Sequence, residues 1–450
     1  MQARALHLLG RSRAALHVLA LVWGMLLVWW DPLGLSSAGE RALADFYHSS
    51  LAGVYPDEKR PRTAVVLTTD ADLETLGITW PVSPRYHDGF LYAIGRAAPK
   101  SVFVDLFFID NRIPADAKRL QARLHWLACQ TQLYLMAPPP EARSGLSNDW
   151  TQFYLNTSAT DSDCPIRLVN SSSPTVGHTY AYPSPAQDAG LRSPAEQVYV
   201  DSGLGEERQS SPWHDERVWE ITWSLPSRRN CDEIAASHLL AENSLDVCEE
   251  LERSAIVRVV RHIANAVSGN RFPHLQNDVS IQDVSPVPVF GVAELSKRGG
   301  PAFSALQNAH VVYAVNVVGA EDTVISPVYR AVHTREIPAG FAHAVAIDNL
   351  IAYEGKPKGY LKSSALKYLF GACAFLFGSV VFSALCLVVG WRRRIIALSL
   401  LVSGVLAISV CVVYGELFRL AAIEWVSIPF AYFAAMSSLA PMFREPDGST

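Results

Sequence analysis

Four aspartates carry the clearest chemical potential in this chain: Asp70, Asp72, Asp105 and Asp110. Two apolar runs, TAVVLTT and SVFVDLFFI, carry them at or near their ends. Arg85 and His343 are the guanidinium and the imidazole that adjoining loops could bring alongside. In a parallel sheet, groups beyond the strand C-termini can converge where such folds bind ligands. Carboxylates with one arginine and one histidine suit a polar ligand, or a hard cation such as calcium. The same six residues also serve a fold with no ligand. Asp70 and Asp72 would cap the following helix, and His343 would satisfy a helix N-terminus. Asp105, inside an apolar strand, needs a partner, and Arg85 is the candidate. The structural reading is preferred, and the six residues stand as the candidate ligand-binding set.

No catalytic residue is assigned. The sequence has no P-loop, no H-E-x-x-H, no G-x-S-x-G and no dinucleotide fingerprint. His178 and His214 lack partners at metal spacing, so no metal and no cofactor is expected. Glu416 and Arg419 read as a solvated i, i+3 pair at a span end. Trp80-Pro81 reads as a rigid apolar turn.

The elements that must position these groups alternate. Thr69 and Asp72 have capping-box spacing ahead of a short helix stopped by Gly77. RYHDGFLYAIGRAA places Phe90, Leu91, Ile94 and Ala97 at helical spacing, and Leu120, Leu124 and Leu127 form one stripe of the next helix. QLYLMA is a third strand, and AHVVYAVNVVG is a later, buried one. PAGFAHAVAIDNLIAYEG reads as a helix with Pro338 at its start, one stripe of Ala344, Ile347 and Ile351, and Gly355 as its stop. Strand–helix–strand order implies parallel pairing. From about 141 to 226 the chain reads as a loop-rich insertion with short strand-like pieces, EQVYVD and VWEITWSL. Asn156 and Asn170 open sequons there. A long helical region follows from Cys231.

The chain has 450 residues, half of them apolar, and a net charge of −5. No concentrated basic face appears, which argues against nucleic acid. Four apolar stretches could cross a bilayer: Ala14–Trp30, Tyr368–Gly390, Ile395–Gly415 and Trp425–Phe443. Arg4, Arg11 and Arg13 precede the first, and Arg392, Arg393 and Arg394 fill a turn between the second and third. The positive-inside rule puts both basic clusters in the cytoplasm and the bulk of the chain outside. Residues 1–30 are then a stub and anchor, retained rather than cleaved. Residues 31–365 are an extracytoplasmic domain, 366–443 a three-helix membrane region and 444–450 a short cytoplasmic tail. The expected fold is α/β, with a mainly parallel central sheet flanked by helices, plus four transmembrane helices.

Of seven cysteines, Cys373, Cys386 and Cys411 lie in the apolar stretches, and Cys129, Cys164, Cys231 and Cys248 lie outside them. Four outer cysteines allow three pairings. Cys231 with Cys248 is favoured as a local staple, which leaves Cys129 with Cys164.

TTDADLETLGITWPVSPRYHDGFLYAI, KSVFVDLFF, AHVVYAVNVVGAEDTVISPVYR and IPAGFAHAVAIDNLIAYEG, in that order, resemble the type 2 CHASE domain. This is the sensory extracellular module associated with cyclases and histidine kinases. The N-terminal anchor and three C-terminal spans resemble its membrane plan as well. The similarity is weak through residues 141–270. The resemblance implies a multi-pass protein of the bacterial inner membrane with its bulk in the periplasm. Family members usually continue into a cytoplasmic output domain, whereas this sequence stops at REPDGST. The expectation is therefore a sensor that acts in trans, through its membrane helices, on another membrane or envelope protein. A homo-oligomer is possible. The alternatives are a scaffold subunit of an envelope assembly and, with only the aspartates behind it, an extracytoplasmic enzyme.

Overall fold

The computed structural model describes residues 60–109, 113–138, 146–157, 164–170, 175–176, 179–180, 191–204, 214–221, 287–296, 300–318, 323–325, 336–355 and 358–361. The four apolar stretches, Asp110, Cys231, Cys248, the helical region after Cys231 and most of the insertion lie outside these. Among the described residues, no helix is long and apolar enough to cross a membrane.

The chain divides into two compact units. The unit of His48–Ser210 and Arg217–Pro357 holds a six-stranded sheet. Its strands are β1 (Thr63–Thr69), β2 (Ser101–Val104), β3 (Gln132–Met136), β4 (Ile166–Val169), β5 (Val289–Gly291) and β6 (His310–Asn316). Their order is β4-β3-β2-β6-β1-β5, and every pairing is parallel. The other unit comprises Met1–Tyr47, Ser211–Glu216 and Lys358–Thr450. The strand Lys358–Leu361 pairs with the strand His214–Glu220.

The sheet is apolar on both faces because its strands are continuous β-branched and aliphatic runs. The alternation of side chains sorts them into two cores. Ala64, Val66, Val102, Val104, Leu133, Leu135, Val311 and Tyr313 enter one core. Val65, Leu67, Phe103, Tyr134, Val312 and Ala314 enter the other.

Helices α1 (Asp70–Leu76), α2 (Pro84–Arg96), α3 (Pro114–Ala128), α4 (Asn148–Thr157) and α6 (Pro301–Leu306) supply the first core. Helices α5 (Pro194–Tyr199) and α7 (Ala339–Ala352) supply the second. The stripes expected on α2 and α3 are the buried ones: Phe90, Leu91, Ile94, Leu120, Leu124 and Leu127. α1 begins with a formed capping box between Thr69 and Asp72 and ends at Gly77 in the left-handed region, φ 65°.

Three readings are corrected. EQVYVD is no strand: Glu196–Tyr199 lies in α5, because Ser193 caps it and Pro194 opens it. The strand in SVFVDLFFI stops at Val104, although the Asp105 N–H still donates to the Tyr313 carbonyl at 2.8 Å. α7 has no single apolar stripe; 13 of its 14 residues are buried. Its end does fall where expected, with Gly355 at φ 73° donating to Leu350 O. Cys129 and Cys164 form a disulfide, 35 residues apart in sequence, that fastens the end of α3 to the start of β4's segment.

Candidate functional site

The insertion of β6 between β2 and β1 decides how the acidic residues are placed. The strand carrying Asp105 and the strand leading to Asp70 and Asp72 are second neighbours.

Asp72 is buried and fully engaged. Its Oδ2 accepts from the Thr69 N–H at 2.9 Å and from the Thr69 hydroxyl at 2.7 Å. Its Oδ1 accepts from Ala293 N–H at 3.0 Å. That reach depends on Gly291, where an added Cβ would stand 2.5 Å from Asp72 Oδ1. The carboxylate thus ties the start of α1 to the chain after β5. Asp70 is exposed and accepts from Val318 N–H at 3.1 Å, which ties α1 to the chain after β6.

Asp105 is 6% exposed and shares Phe103's parity, so it points to the α7 side. Its Oδ1 lies 3.7 Å from His343 Nε2. The His343 ring also meets Phe103 edge-on at 5.1 Å. Burial lowers the His343 pKa to about 4, so the imidazole is neutral at neutral pH. Gly340 lets the first turn of α7 settle on the sheet. A Cβ there would come 2.5 Å from the Ala314 Cβ and 3.7 Å from Asp105 Oδ2. Asp105 therefore stands beside the positive end of a 14-residue helix, where a negative charge is stabilised.

Arg85 is not its partner. Arg85 is exposed near the start of α2, on the other side of the sheet, and makes no ion pair with Asp105. The expected set is consequently divided: Asp70 and Asp72 work at α1, Asp105 and His343 meet at α7, and Arg85 stands apart. Among the described residues, no three His, Cys, Asp or Glu side chains could together hold a metal ion.

The structure adds charged and polar groups that were not singled out in the sequence. Asp348 on α7 and Arg60, just before β1, form a buried pair at 3.0 Å with side chains 1% and 6% exposed. His87 Nδ1 lies 2.7 Å from the Tyr313 hydroxyl, which is 3.3 Å from Thr68 Oγ1. Burial lowers the His87 pKa to about 4, and it raises that of Tyr313. His310 pairs with Ser101 at 2.8 Å, and burial, with Lys100 nearby, lowers its pKa to about 4. Asp201 accepts from Tyr134 at 2.8 Å and pairs with Arg167. None of these was visible as a motif; each depends on which strand lies beside which.

What the fold and this edge define is a parallel α/β domain whose acidic edge is held by caps and a helix terminus. Residues 18–383 match the model of the CHASE2 domain, and the chain belongs to that family. No curated protein and no solved structure matches the chain. CHASE2 domains are extracytoplasmic sensory modules, so the chain carries a sensing domain. The Cys129–Cys164 bond suits such an oxidising compartment.

Proposed function

We propose that the chain is a membrane-anchored extracytoplasmic sensor. Its domain reads a ligand or partner at the Asp105–His343 edge and passes its state, through α7 and the apolar segments, to a membrane protein in trans. One observation carries this reading: α7 packs against a buried aspartate near its start and carries another toward its end. Asp105 meets it in its second turn at His343, and its own Asp348 holds Arg60 in front of β1. In sequence, the first apolar stretch lies ahead of Arg60 and the next follows α7. A rearrangement at the sheet edge that moves α7 would therefore strain both connections toward the membrane. Packed elements of this kind switch between discrete positions rather than bend.

The test uses the full chain in its own membrane. Single cysteines introduced at Pro56 and at the exposed Glu354 are probed with a membrane-impermeant thiol reagent, and cross-linked partners are compared for the native chain and Asp105→Asn. A sensor predicts outside labelling at both positions and a partner whose cross-linking changes with Asp105→Asn. Unchanged cross-linking, in a variant that is folded and inserted, sinks the coupling. Cytoplasmic labelling at either position sinks the topology.

A further inference from the structure

The outer surface of α2 and α3 carries more cationic charge than the contact between the two helices requires, and the sensor reading does not use it. Asp88 on α2 is 2% exposed, and its carboxylate accepts from Arg119 Nε at 2.7 Å and from Arg123 Nε at 2.8 Å. Burying one carboxylate calls for one cation, yet two are present, so the cluster keeps a net positive charge. Each guanidinium has five N–H donors in a fixed fork, and Nε supplies only one of them. Among the described residues, the Nη groups of Arg119 and Arg123 donate no hydrogen bond. Arg123 is also clamped in orientation: its guanidinium carbon lies 4.5 Å from the Tyr92 ring and 4.8 Å from the Trp126 ring. Those two rings lie 5.4 Å apart. Gly95 makes this packing possible, since a Cβ there would stand 2.7 Å from the Trp126 ring.

The surroundings extend the same sign. Helical spacing places Arg85, Gly89, Tyr92 and Arg96 along one line of α2, and all four are exposed. Lys118 and Arg119 are exposed on α3, where Asp116 is half-buried. The whole chain has a net charge of −5, so this ridge is opposite in sign to the molecule that bears it.

We propose that the α2–α3 ridge docks an acidic segment of a partner protein, with its carboxylates seated on the Nη edges of Arg119 and Arg123. Charge complementarity selects the occupant. Guanidinium forks match carboxylates two bonds at a time, and a fork already held at Nε and between rings loses little freedom on binding. Arginine, tyrosine and tryptophan are also the residue types that dominate the energetics of protein interfaces. The proposal does not rest on the sensor reading, and it concerns the opposite face of the sheet from Asp105 and His343.

The test is fluorescence anisotropy of labelled hexaglutamate against the full chain in nanodiscs of neutral lipid. The native chain should bind in a salt-sensitive manner, and hexalysine should not bind. Arg119→Gln leaves Arg123 on Asp88, so the fold should persist, which a cooperative melt and an unchanged circular dichroism spectrum check. It should weaken hexaglutamate by about tenfold, the scale of a lost charge-assisted pair. Arg96→Gln, at a side chain with no ion pair among the described residues, should weaken it less. Equal binding by the native chain and Arg119→Gln overturns the proposal. So does a preference for phosphatidylglycerol vesicles that Arg119→Gln abolishes while hexaglutamate fails to bind, which would make the ridge a lipid contact. Displacement of hexaglutamate by equimolar inorganic phosphate would also overturn it, as general anion binding.

Discussion

On the side of the sheet facing α2 and α3, Thr68 and Tyr313 of the strands meet His87 of α2 in a neutral polar set, and the buried charge there, Asp88, is held between the two helices rather than against the strands. The α7 side buries Asp105 and the Arg60–Asp348 pair. The helices differ in the same way. α2 and α3 are amphipathic, with a buried stripe and an exposed charged line, whereas 13 of the 14 residues of α7 are buried. A neutral hydrogen-bonded set contributes modestly and fixes local geometry. A buried charge has little slack, since its desolvation must be met by a partner or a helix terminus. The contrast suggests that the first face is scaffold and the second is where small displacements have large energetic consequences.

Breaking the Arg60–Asp348 pair is the severest test of that contrast. Asp348→Ala removes the buried carboxylate that Arg60 faces and should cost about 3–5 kcal/mol, read as a fall in melting temperature. On the opposite face, Tyr313→Phe strands only neutral groups and should cost about 1–3 kcal/mol. If Tyr313→Phe proves the more damaging of the two, the division between the faces is wrong.

Acid should act on both faces, through the buried histidines. His87, His310 and His343 have pKa values lowered to about 4 from 6.5, chiefly by burial. The unfolded chain takes up these protons near pH 6.5, and the folded chain only near pH 4. Between those values the unfolded state holds more protons, so stability falls as pH is lowered through the window and levels off below it. Each group accounts for as much as roughly 3 kcal/mol at the full shift. Melting curves from pH 7 to pH 4 should show the fall, and His87→Asn should flatten it. A melting temperature that rises on acidification would mean the histidines are charged in the fold.

Two glycines sharpen the comparison at smaller cost. Gly340→Ala drives a methyl to 2.5 Å from the Ala314 Cβ, which sits on a strand and cannot yield. Gly95→Ala meets the Trp126 and Leu127 side chains at 2.7 and 2.8 Å, and those can turn aside in part. Overpacking of this kind costs about 1–3 kcal/mol, with Gly340 toward the upper end. Equal losses at the two positions would show that α7 seats no more tightly than α2.

Much of this frame was legible, for identifiable reasons. Continuous β-branched runs announced β1 and β6, and the Thr69–Asp72 spacing announced the cap of α1. The Cys129–Cys164 bond followed from pairing the outer cysteines. β5, three residues long, carries too few side chains for a period to show. α5 does have a local signal: Ser193, Pro194 and Glu196 form a capping pattern that outweighs the β-branched look of Val198 and Val200. The central place of β6 had no local signal, because strand order is set by packing across more than two hundred residues. The site was divided for that reason; spacing named Thr69 as a partner of Asp72, but it could not name Ala293, Val318 or His343 as neighbours of the divided carboxylates.

Arg85 offers the smallest effect and the cleanest error to test. Its neighbourhood to the Trp80-Pro81 turn made it the natural counter-charge for Asp105, but the alternation of β2 argues otherwise. Asp105 follows Phe103 by two residues and must share its face, the α7 face, while α2 covers the other. Arg85 is exposed, and an exposed side chain away from buried partners changes stability by no more than about 0.5 kcal/mol. Arg85→Ala should therefore melt with the native protein, whereas Asp105→Ala should melt lower, because it removes the negative charge at the start of α7. A double variant should equal the sum of the two, as independent sites do. If the pair instead shows coupling of about 1 kcal/mol or more, Arg85 reaches Asp105 in solution, and the two faces of the sheet communicate across their shared edge.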